Sequence, residues 1–494
     1  MGFKGSIRVI EGKLSQTCTT EADLIANQAK YPAIRGILEY AEQRQLTTLL
    51  TSGMVGPYGM GYVPTKVGDA VTKGKDIGDN AFKYSVQGRI QRPSRINAQV
   101  GASQANGTFQ LSMADNNLYP GMNVLFYGAG LQARVMAAPT GGAGNWIYTF
   151  QTPDGTVFDW ATHCAGQSGD KTCFGGNSTY GEGSLRGYGN SYFPDTFIQH
   201  TTIQRKGASI TGDAASDILW LEYTNEKNQK TLGWMFEKIR QGKAQFAMEN
   251  EFQKIFGVSS MKNDDGSLRT TSRLTDYETG LPIIQGDGIL NQMDGANDFS
   301  GTGTNGEATA DDFTDAMSVL KRKAKKTSGN VWVCLTGTDG MHNAQVQAVN
   351  LAGNQNIVIN QNIAQNGKAG GADVEIGFNF TKLNINGDSI WFICHPLFDD
   401  AERFPEVGSD GKLLQSSMYL MLDMGTMGDK NIEILAKGGN GFSRAEVSSY
   451  FNGLTGWTGS TPLSGEDAIK YEMLKQDMIV MYNTQSCGVI RKTA

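Results

Sequence analysis

Of the 494 residues, 63 are glycine, about 13% against the usual ~7%, while proline is scarce at 12, so the excess is not that of a low-complexity linker. Charged residues make up 19% and apolar residues 39%, enough for sizeable cores in a chain whose length suggests about three domains; disordered, collagen-like and disulfide-scaffold classes are excluded. The net charge of −6 argues against a protein whose main task is neutralising phosphates, and no apolar run reaches the ~18 residues of a membrane span.

The start, Met1-Gly2-Phe3-Lys4-Gly5-Ser6, lacks the apolar core of a secretory signal. Gly2 and Ser6 match a myristoylation pattern at two fixed positions, but no polybasic patch follows and the match is read as chance. Residues 1–80 form an arm. It holds a helical stretch from Glu21 to about Leu50, interrupted at Tyr31-Pro32, with Ile34, Leu38, Ala41 and Leu46 as a short apolar stripe. Gly53 to Gly78 carries seven glycines and two prolines and needs a neighbouring surface to become ordered.

Phe82–Arg92 alternates apolar and polar residues, the mark of an exposed strand, and Thr196–Lys206 repeats the pattern far downstream. Between them Phe109–Leu111, Asn123–Phe126, Leu131–Val135 and Trp146–Phe150 read as strands. Tyr119-Pro120-Gly121, Gly128–Gly130 and Gly141-Gly142 read as turns, which together predict a small barrel or sandwich set into a long hairpin. Gly166 to Gly189 is expected to be an exposed loop.

A long helix is predicted from a cap at Thr224 or Asn225 to a stop at Gly257. Leu232, Met235, Phe236, Ile239, Phe246, Phe252, Ile255 and Phe256 form its apolar face. About 30 residues would give a rod of roughly 45 Å, so something extended must lie along it. Residues 258–308 read as polar connection. A second helix opens at Thr309 with Asp311 and Asp312 and closes with Lys321–Lys326 before Gly329, charges that complement the helix dipole. The strand Val331–Leu335, the turn Thr336–Gly340 and a helix from Met341 to Leu351 make an α/β unit. Its sheet partner is the hairpin Val374–Ile385 and Ser389–Cys394, turned at Asn386-Gly387. Tyr419–Leu422 and Ile432–Leu435 read as strands, Ser443–Glu446 as a capping box opening a helix that ends at Gly453, and Met478–Tyr482 and Gly488–Ile490 as closing strands.

Little of this carries chemistry. The four histidines, His163, His200, His342 and His395, are not at metal-ligand spacing, and HExxH, GxSxG and GxxxxGK[ST] are absent. The six scattered cysteines suit a reduced, cytoplasmic setting. His163, Cys164 and Cys173, with Asp170, form the one segment with a metal-binding flavour. Their spacing fits no zinc finger and a loop with free thiols is the expectation, though the residues leave open whether they bind a metal. Gly301–Gly306 matches GxGxxG, but Asp294–Ser300 reads as polar coil rather than the buried strand a phosphate loop needs. Asp264-Asp265-Gly266 and Asp287-Gly288 read as turns, Lys321–Lys326 as a solvated helix end, and Trp146 and Trp160 as packing rather than a sugar platform. No catalytic, cofactor or metal site is expected.

The order of parts resembles the major capsid proteins of tailed bacteriophages with the Hong Kong-97-type fold, and local sequence such as Asn431-Ile432-Glu433-Ile434-Leu435 is most similar to those of crAss-like gut phages. The resemblance implies an α+β fold with axial and peripheral domains, a long spine helix, an E-loop and a β-rich insertion domain. Residues 1–80 would be an N-terminal arm, 81–96 and 196–215 the E-loop strands, and 97–190 the insertion domain. Residues 216–310 would be the peripheral domain with its spine helix at 224–256, 311–429 the axial domain, and 430–494 strands and helices completing both. It also implies a structural virion protein, not an enzyme, assembled in the bacterial cytoplasm into hexamers and pentamers of an icosahedral head. The implied partners are a scaffolding protein, a portal, decoration proteins and packaged double-stranded DNA bound without sequence preference, with no membrane. Relatives often carry an N-terminal scaffolding segment; the start at Met1 leaves no room for one, so a separate scaffold is expected. A tail sheath or tube subunit, or a glycan-binding β-protein, is the competing expectation.

Overall fold

The structure is a computed structural model that describes residues 75–86, 93–126, 130–164, 171–184, 193–213, 222–224, 230–232, 234–263, 265–293, 295–324, 331–354, 382–385, 388–426, 429–455 and 461–493, with Cys18–Thr19, Gly187 and Gly189. The expected helix between Glu21 and Leu50, residues 374–381 of the expected hairpin and its Asn386-Gly387 turn lie outside the described residues. The chain divides into two compact units, Tyr84–Phe197 and the remainder.

The smaller unit is a closed barrel. Thr108–Met113 pairs with Ser94–Val100, which pairs with Lys171–Ser178. The ring continues through Met122–Phe126, Gln132–Val135 and Asn145–Gln151 back to Thr108–Met113, every pair antiparallel. Alternation fills it: Phe109, Leu111 and Met113 from one strand meet Val124, Phe126, Tyr148 and Phe150, all buried. Phe158 stacks on Phe109 with centroids 4.3 Å apart. Closure leaves the ring no free edge. Two expectations are corrected. Lys171–Ser178, inside the expected exposed loop, is the strand that closes the ring, because its Cys173 points into the core and its backbone completes two ladders. Gly141-Gly142, expected as a turn, belongs to the short strand Thr140–Gly142 on Asn145–Gln151. Gly121 does sit in its predicted turn, at φ +87°, a value that favours glycine.

The larger unit is built on two sheets. In the first, the 14-residue strand Ala468–Met481 is central. Thr202–Thr211 runs antiparallel along one side of it, while Val447–Asn452 and Ile432–Gly439 share the other side end to end. Cys18–Thr19 and Lys75–Ile77 add parallel strands at the two borders. The expected strand Thr196–Lys206 therefore breaks at Thr201: Asp195–His200 pairs with Ala81–Val86, whereas Thr202 onward joins the sheet. The break is held by Thr201, whose N–H donates to the Asn80 carbonyl at 2.9 Å and whose hydroxyl accepts from Gln476 at 3.1 Å.

The second sheet has six strands in the order Asp298–Ser300, Gly488–Arg491, Tyr419–Asp423, Val331–Thr336, Asp388–Cys394, Lys382–Ile385. The central strand alternates: Trp332 and Cys334 face the helix Ala310–Ala324 through Phe313, Met317 and Leu320, and Val333 and Leu335 face Ile255, Ile432 and Ile479. With both faces covered, the strand reads as the continuous apolar run seen in the sequence. Thr309 and Asp312 cap that helix reciprocally, the Asp312 carboxylate accepting the Thr309 N–H at 2.7 Å and the Thr309 hydroxyl accepting the Asp312 N–H at 3.2 Å. The next helix, Thr338–Asn354, is longer than expected at both ends; it starts early because Asp399 supplies a cap from a distant segment, accepting the Thr338 N–H at 2.8 Å.

Two helix expectations fail. The long helix is Trp234–Phe256, 23 residues and roughly 35 Å. Thr224 does not cap it, since Glu222–Thr224 pairs with Lys230–Leu232 as a hairpin, and Asn225, the other expected cap, lies outside the described residues. The helix does end before Gly257 as expected. Ile239, Phe246 and Ile255 are buried, but Phe252 is exposed. The Ser443–Glu446 capping box opens no helix: Val447–Asn452 is a strand, because the β-prone Val447, Tyr450 and Phe451 find a ready partner in Ala468–Met481.

Candidate assembly surfaces

The residues with the strongest metal-binding flavour serve the barrel. His163 ends the one-turn helix Trp160–His163; its Nδ1 accepts the Asp159 N–H at 2.9 Å and its ring stacks on Phe158. Cys164 and Cys173 are buried thiols, each pushed up in pKa by burial. Asp170 lies outside the described residues, and among the described residues no group of three or more His, Cys, Asp or Glu side chains is placed to hold a metal.

Asp298–Ser300 leads into Gly301–Gly306 as a strand, not the expected coil. Even so, the Asp312 carboxylate already accepts the Thr302 N–H at 3.0 Å, and Thr493 closes on Gly306, so the loop is filled by its own chain. Lys321 is paired with Asp388 at 2.7 Å and Lys323 with Asn297, so two of these cations are part-buried and tied to their own chain while Arg322 stays exposed; Lys325 and Lys326 lie outside the described residues. Trp146 and Trp160 pack half-buried against the barrel core. Asp265 accepts the Ser267 N–H in a turn, whereas Asp287 is buried, accepting the Ser259 N–H at 2.8 Å and pairing with Lys262.

Buried charges absent from the sequence reading hold the long helix in place. Its Glu251 and the strand-end residue His395 are fully buried, with His395 Nε2 3.1 Å from Glu251 Oε1. Because Nδ1 of His395 accepts the Leu397 N–H at 3.2 Å, the ring proton is assigned to Nε2, which donates to the carboxylate. One turn on, buried Lys254 lies 3.0 Å from buried Asp477, with Lys475 3.3 Å from the same carboxylate; the Lys254 contact is charge to charge rather than an aligned hydrogen bond. Burial pulls Lys254 down to about 8, against the opposing attraction of Asp477. Burial alone would raise Asp477, but Lys254 and Lys475 outweigh it and hold the carboxyl below the usual range.

These directions fix a pH dependence. Asp477 contributes stability above its ordinary value of 3.8, and loses it as pH falls through the lower folded value. The melting temperature is therefore expected to drop as pH is lowered from about 5 to about 3, and less steeply in Asp477→Asn. Lys254 acts at the other limb. The folded chain releases its proton near 8 and the unfolded chain near 10.5, so this group adds stability as pH rises across that window.

Among the described residues, exposed apolar side chains occur at several places, three of them on or beside paired strands. Among the described residues, Val447–Asn452 is paired on one edge, with Val447, Tyr450 and Phe451 exposed and Phe442, Leu454 and Leu463 nearby in sequence also exposed. An apolar edge of this kind invites further strand pairing unless it is covered. On the pair Ala81–Val86 and Asp195–His200, Tyr84 stacks on exposed Phe197 with centroids 5.6 Å apart, and Phe193 is almost wholly exposed. The third is the hairpin of Leu274–Thr275 and Pro282–Ile283, with Leu268, Tyr277 and Leu281 around it. Sequence periodicity marked the second as exposed strand but gave no warning of the other two, since an apolar strand residue looks the same whether or not a neighbour covers it.

A family model described as Crassvirus major capsid protein matches residues 81–493. No curated protein matches the chain. Solved structures align loosely. A capsid of a native GTA particle covers 65% of this chain and 82% of its own at 11% identity and a TM-score of 0.33. Mycobacterium phage Adephagia covers 85% and 88% at 8% identity and a TM-score of 0.32, and the SrpI encapsulin complex of Synechococcus elongatus covers 61% and 76% at 11% identity and a TM-score of 0.30. Superpositions this loose carry no argument about the chain.

Proposed function

This chain belongs to the Crassvirus major capsid protein family, and on that premise we propose that its copies tile the icosahedral head of a tailed phage as hexamers and pentamers around double-stranded DNA. The single observation carrying this reading is the family match over 81–493, which spans both compact units.

The order of parts supports a Hong Kong-97-type architecture. The pair Ala81–Val86 and Asp195–His200 is the base of the E-loop, and the barrel is its insertion domain. Trp234–Phe256 is the spine, lying on Thr202–Thr211 and Ala468–Met481 of the peripheral sheet. The six-stranded sheet with its two helices is the axial domain, extended beyond 311–429 by Asp298–Ser300 and Gly488–Arg491. Exposed apolar strands suit subunits that complete one another's surfaces, and the low charge density of 19% reduces the cost of desolvating large interfaces. A net charge of −6 disfavours a tight grip on DNA that must later leave. A scaffolding protein, a portal and decoration proteins are the partners proposed for this role, with assembly in the host cytoplasm.

Electron microscopy of the overexpressed chain tests the reading. Closed shells or ring-shaped capsomers are expected; tubes would point to a tail component, and dispersed monomers at high concentration would overturn the proposal.

A further inference from the structure

The hairpin of Leu274–Thr275 and Pro282–Ile283 stands alone. Among the described residues it is a two-stranded sheet with Leu274 opposite Ile283 and no third strand, an arrangement that is marginal in water by itself. Its foot is nevertheless anchored: the Ser260 hydroxyl donates to the Ile283 carbonyl at 2.9 Å and the Arg269 N–H to the Met261 carbonyl at 2.9 Å. Its tip is built with care. The Asp276 carboxylate accepts the N–H groups of Glu278 (2.8 Å) and Thr279 (3.2 Å), the Asp276 N–H donates to the Leu281 carbonyl at 2.8 Å, and the Gly280 N–H donates to the Asp276 carbonyl at 2.9 Å. Gly280 sits at φ +67°, where glycine is favoured.

This fixed turn presents apolar surface to solvent. Tyr277 is 93% exposed, Leu281 64%, Leu268 49%, Leu274 45% and Ile283 40%. Together they offer roughly 400–500 Å² of apolar area. A free-standing dimer needs about 800 Å² from each partner, so the patch is about half an interface. That size fits a subunit that shares its contacts among several neighbours. Resting on the capsid reading above, we propose that this hairpin, Tyr277 leading, is an assembly knob that docks on a second copy of this chain. The rigid tip lowers the ordering cost of docking, and an aromatic ring at its summit supplies a contact of the type that dominates interface energies.

The full-length chain tests this directly, with assembly followed by light scattering and electron microscopy. The double variant Tyr277→Ala/Leu281→Ser should melt as the parent does, since both side chains face solvent, yet need a concentration roughly tenfold higher or more to assemble. Tyr277→Phe keeps the ring and should assemble like the parent. A photoreactive phenylalanine analogue at position 277 should crosslink two copies within assembled particles. Normal assembly of the double variant overturns the knob alone, as does a crosslink to a different virion protein or the absence of any crosslink between copies. Failure of the parent chain to associate overturns the capsid reading and the knob together.

Discussion

Replacing Asp477 by alanine is expected to destabilise the larger unit by about 3–5 kcal/mol, a large share of the ~5–15 kcal/mol that holds a typical domain. The substitution leaves Lys254 buried beneath the long helix with no carboxylate at 3.0 Å, and with the Lys475 ammonium still close by. The cost arises from the stranded charge rather than from the lost attraction. Replacing both partners, as Asp477→Leu with Lys254→Met, should therefore recover most of the loss, because well-packed apolar groups can stand in for a buried pair. Urea unfolding monitored by circular dichroism measures both. A loss under about 1 kcal/mol in the single variant would mean that water reaches the site and that the pair does not fix the helix.

Trp332→Ala is expected to cost about 3–5 kcal/mol by a different route. Trp332 is fully buried on the central strand of the six-stranded sheet, packed in the cluster that includes Phe313, Met317 and Leu320. Truncation opens a cavity and also removes the indole N–H that donates to the Ser486 carbonyl at 2.9 Å, leaving a buried acceptor unpaired. Trp332→Phe keeps most of the volume but not the donor and should lose distinctly less. The difference between the two variants in the same urea titration separates the packing loss from the hydrogen-bond loss, and equal losses would refute the cavity account.

Legibility followed how local each signal was. Val331–Thr336 could be read because both its faces are buried and the run is apolar throughout. The helix Ala310–Ala324 could be read because its Thr309–Asp312 cap lies within one turn. The long helix was legible in kind and at its Gly257 end but not at its start. Thr224 has the chemistry of a cap yet is taken by pairing with Lys230, a contact the cap pattern does not contain. Ser443–Glu446 misled for the same reason: a local capping box lost to a strand partner about twenty residues downstream. Lys171–Ser178 looked like a glycine-rich loop until the barrel needed a closing strand.

The candidate surfaces and the buried charges were the least legible. Ile434 and Phe451 are both apolar residues on strands that flank the same side of Ala468–Met481, yet Ile434 is buried and Phe451 exposed. Asp477 and Lys254 each look like solvated charges until they meet. The amino-acid pattern alone determined that the chain has a β-rich segment ahead of a long helix and an α/β unit, and it carried the resemblance to the capsid family that the 81–493 match bears out. Only the tertiary structure decided which charges are buried and which apolar side chains of the described residues stay exposed. Each of those depends on burial, and burial is the sum of contacts from segments far apart in the chain, which no local run of residues encodes.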